Sequence, residues 1–231
     1  MENYLSIFLA IFSIIINSAI FGSVARNSKN NNTNKAYLLF LSFIILYTIF
    51  DCIIIQAFDL QEQKDVIIIL QSMFWMPLSI LFLNFTYSLL TKKRDNIFYF
   101  FAGSVTLSIL ITLFSNKVLL SYKDFNFGTM AYTGPWFLAI TFLGIVPAAI
   151  YSLYLIGKEA NIFYSKHKHN NNAAPFVSLQ LKILFFGSTI CLIIAVTTNI
   201  FFDEVLGYGG ELHLASLSLS IQSIFLLPAI I

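Results

Sequence analysis

Residues Ala36–Phe58 read AYLLFLSFIILYTIFDCIIIQAF, an apolar run broken by one charged residue, Asp51. A helix rises about 1.5 Å per residue, so about 20 apolar residues cross roughly 30 Å of hydrocarbon. This run is long enough. It is continuous rather than alternating, so it does not suit a barrel strand, and only a helix satisfies its backbone internally. Six more segments share this character: 4–25, 66–90, 97–115, 134–157, 179–202 and 212–231. The sequence therefore predicts an all-α integral membrane bundle of seven transmembrane helices, one domain over residues 1–231. Composition agrees: 58% of the 231 residues are hydrophobic and 10% charged, with a mean hydropathy of +0.82. A soluble domain carries about 25% charged residues to solvate its surface. The expected partner is thus the lipid bilayer, and a net charge of +2 gives no footprint for nucleic acid.

Lysine and arginine orient the spans. Arg26, Lys29, Lys35, Lys92, Lys93, Arg94, Lys158, Lys166, Lys168 and Lys182 fall on one side; Lys64, Lys117 and Lys123 fall on the other. Ten against three makes the first side cytoplasmic, with the N-terminus outside and the C-terminus in the cytoplasm. The run Tyr4–Ala25 lacks a basic n-region and exceeds the length of a cleaved signal. Abundant Asn, Lys, Ile and Phe resemble AT-rich bacterial coding, which points to a bacterial inner membrane. The loops are short. Residues 116–133 are expected to form a small hairpin or interfacial segment, and Ser165–Asn172 a flexible linker. No internal repeat is evident, which weakens a transporter reading. The chain stops at Ile231 within an apolar run lacking an interfacial anchor, so a following cytoplasmic effector domain is expected.

Asp51 is the most informative residue, because an ionisable group in a span costs about 2.5–3.5 kcal/mol at mid-helix on insertion scales. At similar depth come Gln71 and Trp75 on the third helix, Thr198 and Asn199 on the sixth, and His213 on the seventh. Together with Asp51 these are the candidate ligand-binding residues, expected to line a pocket open to the outside. Trp136 reads as part of an interfacial aromatic belt, and interhelical hydrogen bonding competes as a role for Thr198 and Asn199. Small residues recur as stripes: Ser6, Ala10, Ser13, Asn17; Gly187, Cys191, Ala195, Asn199; and Ser216, Ser220, Ser223. Such stripes predict packing seams, within the bundle or in a homodimer. Pro77 and Pro147 should kink their helices. Cys52 and Cys191 read as packing residues. No zinc helix, phosphate loop or nucleophile elbow occurs, so neither catalysis, a metal nor a cofactor is expected; His167, His169 and the His213–Glu211 neighbours are weak metal signals. Asn31-Asn32-Thr33 matches a glycosylation sequon on the side assigned to the cytoplasm.

The last helix has no retinal lysine, and receptor Asp-Arg-Tyr and Asn-Pro-x-x-Tyr patterns and a Pro-Gln repeat are missing. Met76-Pro77 and the aromatic-rich run to Tyr87, Gln180-Leu181-Lys182 with Gly187, and Thr198-Asn199 do form a pattern. It resembles the seven-transmembrane sensor region at the N-terminus of many bacterial histidine kinases and related cyclases and phosphatases. That family often has a proline after the outer end of the sixth helix, where this chain has Phe202-Asp203. The resemblance implies a sensory input domain for an extracytoplasmic or lipid-borne signal, with catalysis in a following cytoplasmic domain. The competing expectation is a small permease or channel with a pathway through Asp51.

Overall fold

A computed structural model describes residues 2–27, 31–56, 64–115, 119–125, 128–167, 174–197 and 215–227. In chain order these form α1 (Glu2–Asn27), α2 (Asn32–Gln56), α3 (Lys64–Trp75), α4 (Leu78–Leu89) and α5 (Asn96–Phe114). A hairpin of β1 (Leu119–Phe125) and β2 (Gly128–Thr133) follows, then α6 (Pro135–Ile140), a π turn (Thr141–Ile145), α7 (Val146–His167), α8 (Ala174–Val196) and α9 (Ala215–Leu226). Six helical stretches are long and apolar enough to cross a membrane: Ile7–Arg26, Asn32–Ile53, Ile69–Leu89, Asn96–Phe114, Trp136–Phe163 and Val177–Val196. The described part of α9 has 12 residues, fewer than a crossing needs.

The surface is inverted relative to a soluble protein. Phe8, Ile15, Phe100, Phe114, Leu143 and Phe186 are exposed, while Ser13, Asn17, Thr48, Asp51, Thr86, Ser152 and Ser220 are buried. Water would penalise that arrangement; lipid favours it, because apolar side chains cost nothing against acyl chains and polar ones find partners inside. Many inward hydroxyls bond back to a carbonyl one turn earlier, as Thr48 does to Ile44 at 2.8 Å and Thr86 to Phe82 at 2.9 Å.

α2 is the hub, packing on α1, α3, α4, α9 and β2. Its buried face runs Tyr37, Phe40, Leu41, Ile44, Thr48 and Asp51, at the three- and four-residue spacing of one helical stripe. Tyr37 meets Phe85 at 5.5 Å between ring centroids, and Phe40 meets Phe82 at 6.0 Å. Around them Ile156, Leu184 and Leu226 complete the main core.

Each proline sits at an interruption of its helix. Pro77 splits the third span into α3 and α4 at a two-residue turn, Met76-Pro77. The π turn ends just before Pro147, whose missing N–H leaves a carbonyl one turn back without its helical donor. Gly144 in that turn lies against α5: a Cβ there would stand 3.0 Å from Ser104 Oγ.

Within 116–133, where a hairpin or an interfacial segment is expected, β1 and β2 pair antiparallel from Leu119↔Thr133 to Phe125↔Gly128. One expectation needs correction. A linker is expected from Ser165, but α7 continues to His167. The residues after 157 are polar enough to end a hydropathic span, yet Lys158, Glu159 and Ala160 are good helix formers and nothing before His167 breaks the helix. The rest of that linker lies outside the described residues.

Candidate functional site

Asp51 sits on the inward stripe of α2 near the end beside the hairpin, and is 3% exposed. A carboxylate there has lost its hydration and persists only with protein partners. Gln71 of α3 supplies one: its Nε2 donates to Asp51 Oδ1 at 3.0 Å. Trp75, one turn along the same face of α3, packs on Phe137 of α6 at 5.8 Å. Phe74 stacks on Phe50 at 5.3 Å and meets Phe43 edge-on at 5.7 Å. Asp51 and Gln71 are thus in direct contact, and Trp75 stands one turn from Gln71 on α3. Thr198, Asn199 and His213 lie outside the described residues. Trp136 is exposed on the outer surface, as a belt residue would be. An open groove of about 600 Å³ lies elsewhere, on α1, lined by Ser18, Ala19, Gly22, Ser23 and Arg26.

A second polar cluster joins α1 and α2 to α9. The predicted stripe of α1 buries Ala10, Ser13 and Asn17. Ser13 Oγ bonds to Ser220 Oγ, and Asn17 Nδ2 donates to Ser220 Oγ at 2.9 Å and to the Ser13 carbonyl at 2.9 Å. Asn17 Oδ1, fully buried, meets no donor among the described residues. From α2, the Tyr37 hydroxyl donates to the Ser223 carbonyl at 2.7 Å. Gly187 of α8 lets Phe225 approach so closely that a Cβ would lie 2.2 Å from the ring. Ser13, Asn17, Gly187, Ser220 and Ser223 therefore belong to seams inside the bundle. Sequence marked Asn17 and the serines; nothing marked Tyr37, which reads as one more core aromatic.

A further polar cluster forms at the α4–α5 turn, at the lysine-rich end. Asp95 caps α5 by accepting from Phe98 N–H at 3.0 Å, and accepts from the Tyr87 hydroxyl at 2.7 Å. The Tyr87 bond first, then that backbone bond, hold the Asp95 carboxyl below its usual range. Arg94 donates twice to Asn84 Oδ1, at 3.0 and 2.6 Å, and stands over the Phe98 ring. Lys92 pairs with Glu159 of α7 at 2.7 Å. Only an Asp followed three residues later by an apolar position hinted at this cap.

Among the described residues no three His, Cys, Asp or Glu side chains cluster to hold a metal. Comparison with known proteins finds no matching family model, no matching curated protein and no matching solved structure. Fold and site together define a multi-pass membrane protein with a buried carboxylate–amide pair at one end of its bundle.

Proposed function

We propose that this chain is a sensory input module. It is a seven-helix bundle, N-terminus outside, in a bacterial inner membrane, and α9 belongs to the seventh crossing. It detects an extracytoplasmic or lipid-borne signal and passes it through that last helix to a cytoplasmic effector such as a histidine kinase. The ligand is a small molecule or lipid, and the working unit a homodimer. One observation carries this reading: α2 holds the Asp51–Gln71 bond near one end and the Tyr37–Ser223 bond to α9 toward the other. The two residues are two heptads apart, so they share a face about 21 Å apart along the helix. A ligand that competes for Gln71 or Asp51 changes how α3 sits on α2, and the Pro77 break frees α3 to tilt without α4. Such a ligand acts only through different affinity for two helix arrangements. The ten-to-three charge split and the resemblance of Met76–Tyr87 to the sensor family support the same reading.

The test is hydrogen exchange on the full chain in lipid nanodiscs. Asp51→Asn and Gln71→Leu should each change amide exchange in residues 219–226 several-fold, relative to a lipid-facing control such as Ile190→Leu. Unchanged exchange in α9, with α3 responding, would refute the coupling. The buried carboxylate also favours a second reading, a permease; that reading predicts solute flux in proteoliposomes that Asp51→Asn abolishes.

A further inference from the structure

The contacts that seat α9 have an unusual property: most of them can be re-formed one turn away. Ser220 receives Asn17 and bonds to Ser13, and four residues earlier on α9 stands another serine, Ser216. Tyr37 donates to a backbone carbonyl, and every turn of a helix presents a carbonyl. Phe225 lies over Gly187; four residues earlier is Ile221, which a glycine surface accepts as readily. Moreover, the seam is not fully satisfied where it stands, since Asn17 Oδ1 is buried without a donor among the described residues. That acceptor stays equally unpaired when another serine stands in for Ser220, so the seam does not by itself pin one register over the other. The aromatic pairs between α2 and α4 do not share this tolerance. Tyr37–Phe85 and Phe40–Phe82 are ring pairs that a shift of one turn would destroy.

We infer that α9 occupies two registers in the bundle, the described one and one displaced by about one turn, near 6 Å for four residues. In the second, Ser216 takes the place of Ser220 opposite Ser13 and Asn17. Leu226, fully buried in the described register, is then replaced in the core by Gln222. This exchange of an apolar side chain for an amide makes the described register the resting one. The inference concerns the docking of α9 alone and holds for a sensor or a permease.

Paired cysteines in the full chain, oxidised with copper phenanthroline in native membranes, test it. Ser13→Cys with Ser220→Cys reports the described register, and Ser13→Cys with Ser216→Cys the displaced one; Asn17→Cys with the same two partners repeats the measurement. Gln222→Leu removes the penalty of the displaced register. The 13–220 and 17–220 pairs should cross-link in the unmodified background. The 13–216 and 17–216 yields should rise at least threefold on adding Gln222→Leu, with the 220 pairs falling in step. Cross-linking at residue 220 that Gln222→Leu leaves unchanged, with no gain at 216, overturns the inference. So does failure of all four pairs to link in membrane-inserted protein.

Discussion

Gly187→Ala tests the α8–α9 seam most sharply, because other glycines of the chain act as controls. A Cβ at residue 187 would stand 2.2 Å from Phe225 Cγ and 2.6 Å from its Cβ and Cδ2. Carbon pairs rest at about 3.5–4.0 Å, so the overlap exceeds about 1 Å. The obstructing atoms include the base of the side chain rather than its far end, so ring rotation alone gives no escape and the two helices must part. Overpacking of this kind costs about 1–3 kcal/mol, and the size of the overlap puts this site toward the upper value. Alanine returns about 0.8–1 kcal/mol in helix propensity. The net expectation is destabilisation of about 1–2 kcal/mol. At Gly22 and Gly103 a Cβ meets nothing within 4 Å, so Gly22→Ala and Gly103→Ala should be neutral or stabilise by up to about 1 kcal/mol. Reversible SDS titration in mixed micelles, followed by tryptophan fluorescence, gives the three free energies. A Gly187→Ala variant as stable as Gly103→Ala would refute the clash with Phe225.

Asp51 and Gln71 should behave as a pair: Asp51→Leu and Gln71→Leu each remove the hydrogen bond between them, at about 1–3 kcal/mol, and the double variant should lose less than the two single losses added together. A double-mutant cycle in the same titration measures the coupling, and strict additivity would contradict it. Asp95→Ala should lose about 1 kcal/mol with the α5 cap. Because the folded Asp95 pKa lies below its unfolded value, its contribution is full above the unfolded pKa and is lost as pH falls through the folded one. Wild type and Asp95→Asn should therefore converge in melting temperature on acidification and diverge near neutrality; curves that stay parallel would show the carboxylate contributes nothing. Thr91 is a β-branched residue at φ 51°, where it closes α4 by donating to the Ser88 carbonyl while Lys92 donates to that of Tyr87. Left-handed backbone favours glycine there, so Thr91→Gly should stabilise by about 0.5–1 kcal/mol in the same melts.

The helices were legible because lipid imposes a coarse rule: each crossing is a long apolar run, and hydropathy sees length. The same rule is blind to partners. Pro77 and Pro147 announced their interruptions because a missing N–H acts locally, whereas the end of α7 at His167 did not, because helix continuation past the membrane depends on propensity rather than hydropathy. Asp51 stood out as the single charge in its run, and Gln71 was placed near it by depth. The bond between them required knowing that α3 packs on α2. Tyr37 looked like core, and its bond to the Ser223 carbonyl has no sequence signature because a carbonyl belongs to every residue. Asn17 and Ser220 were visible as small polar residues in seams, but which seams face each other is a matter of helix order around the bundle.

The proposed sensor needs seven crossings, with the two ends of the chain on opposite sides of the membrane. Single cysteines, in a background with Cys52 and Cys191 replaced by alanine, give the direct measurement when probed with a membrane-impermeant maleimide in intact and permeabilised cells. Glu2→Cys and Gly128→Cys should label in intact cells, whereas Lys93→Cys, Lys158→Cys and Ile230→Cys should label only after permeabilisation. Labelling of Ile230→Cys from the same side as Glu2→Cys would contradict the seventh crossing, and with it the route from the Asp51–Gln71 pair to a cytoplasmic effector.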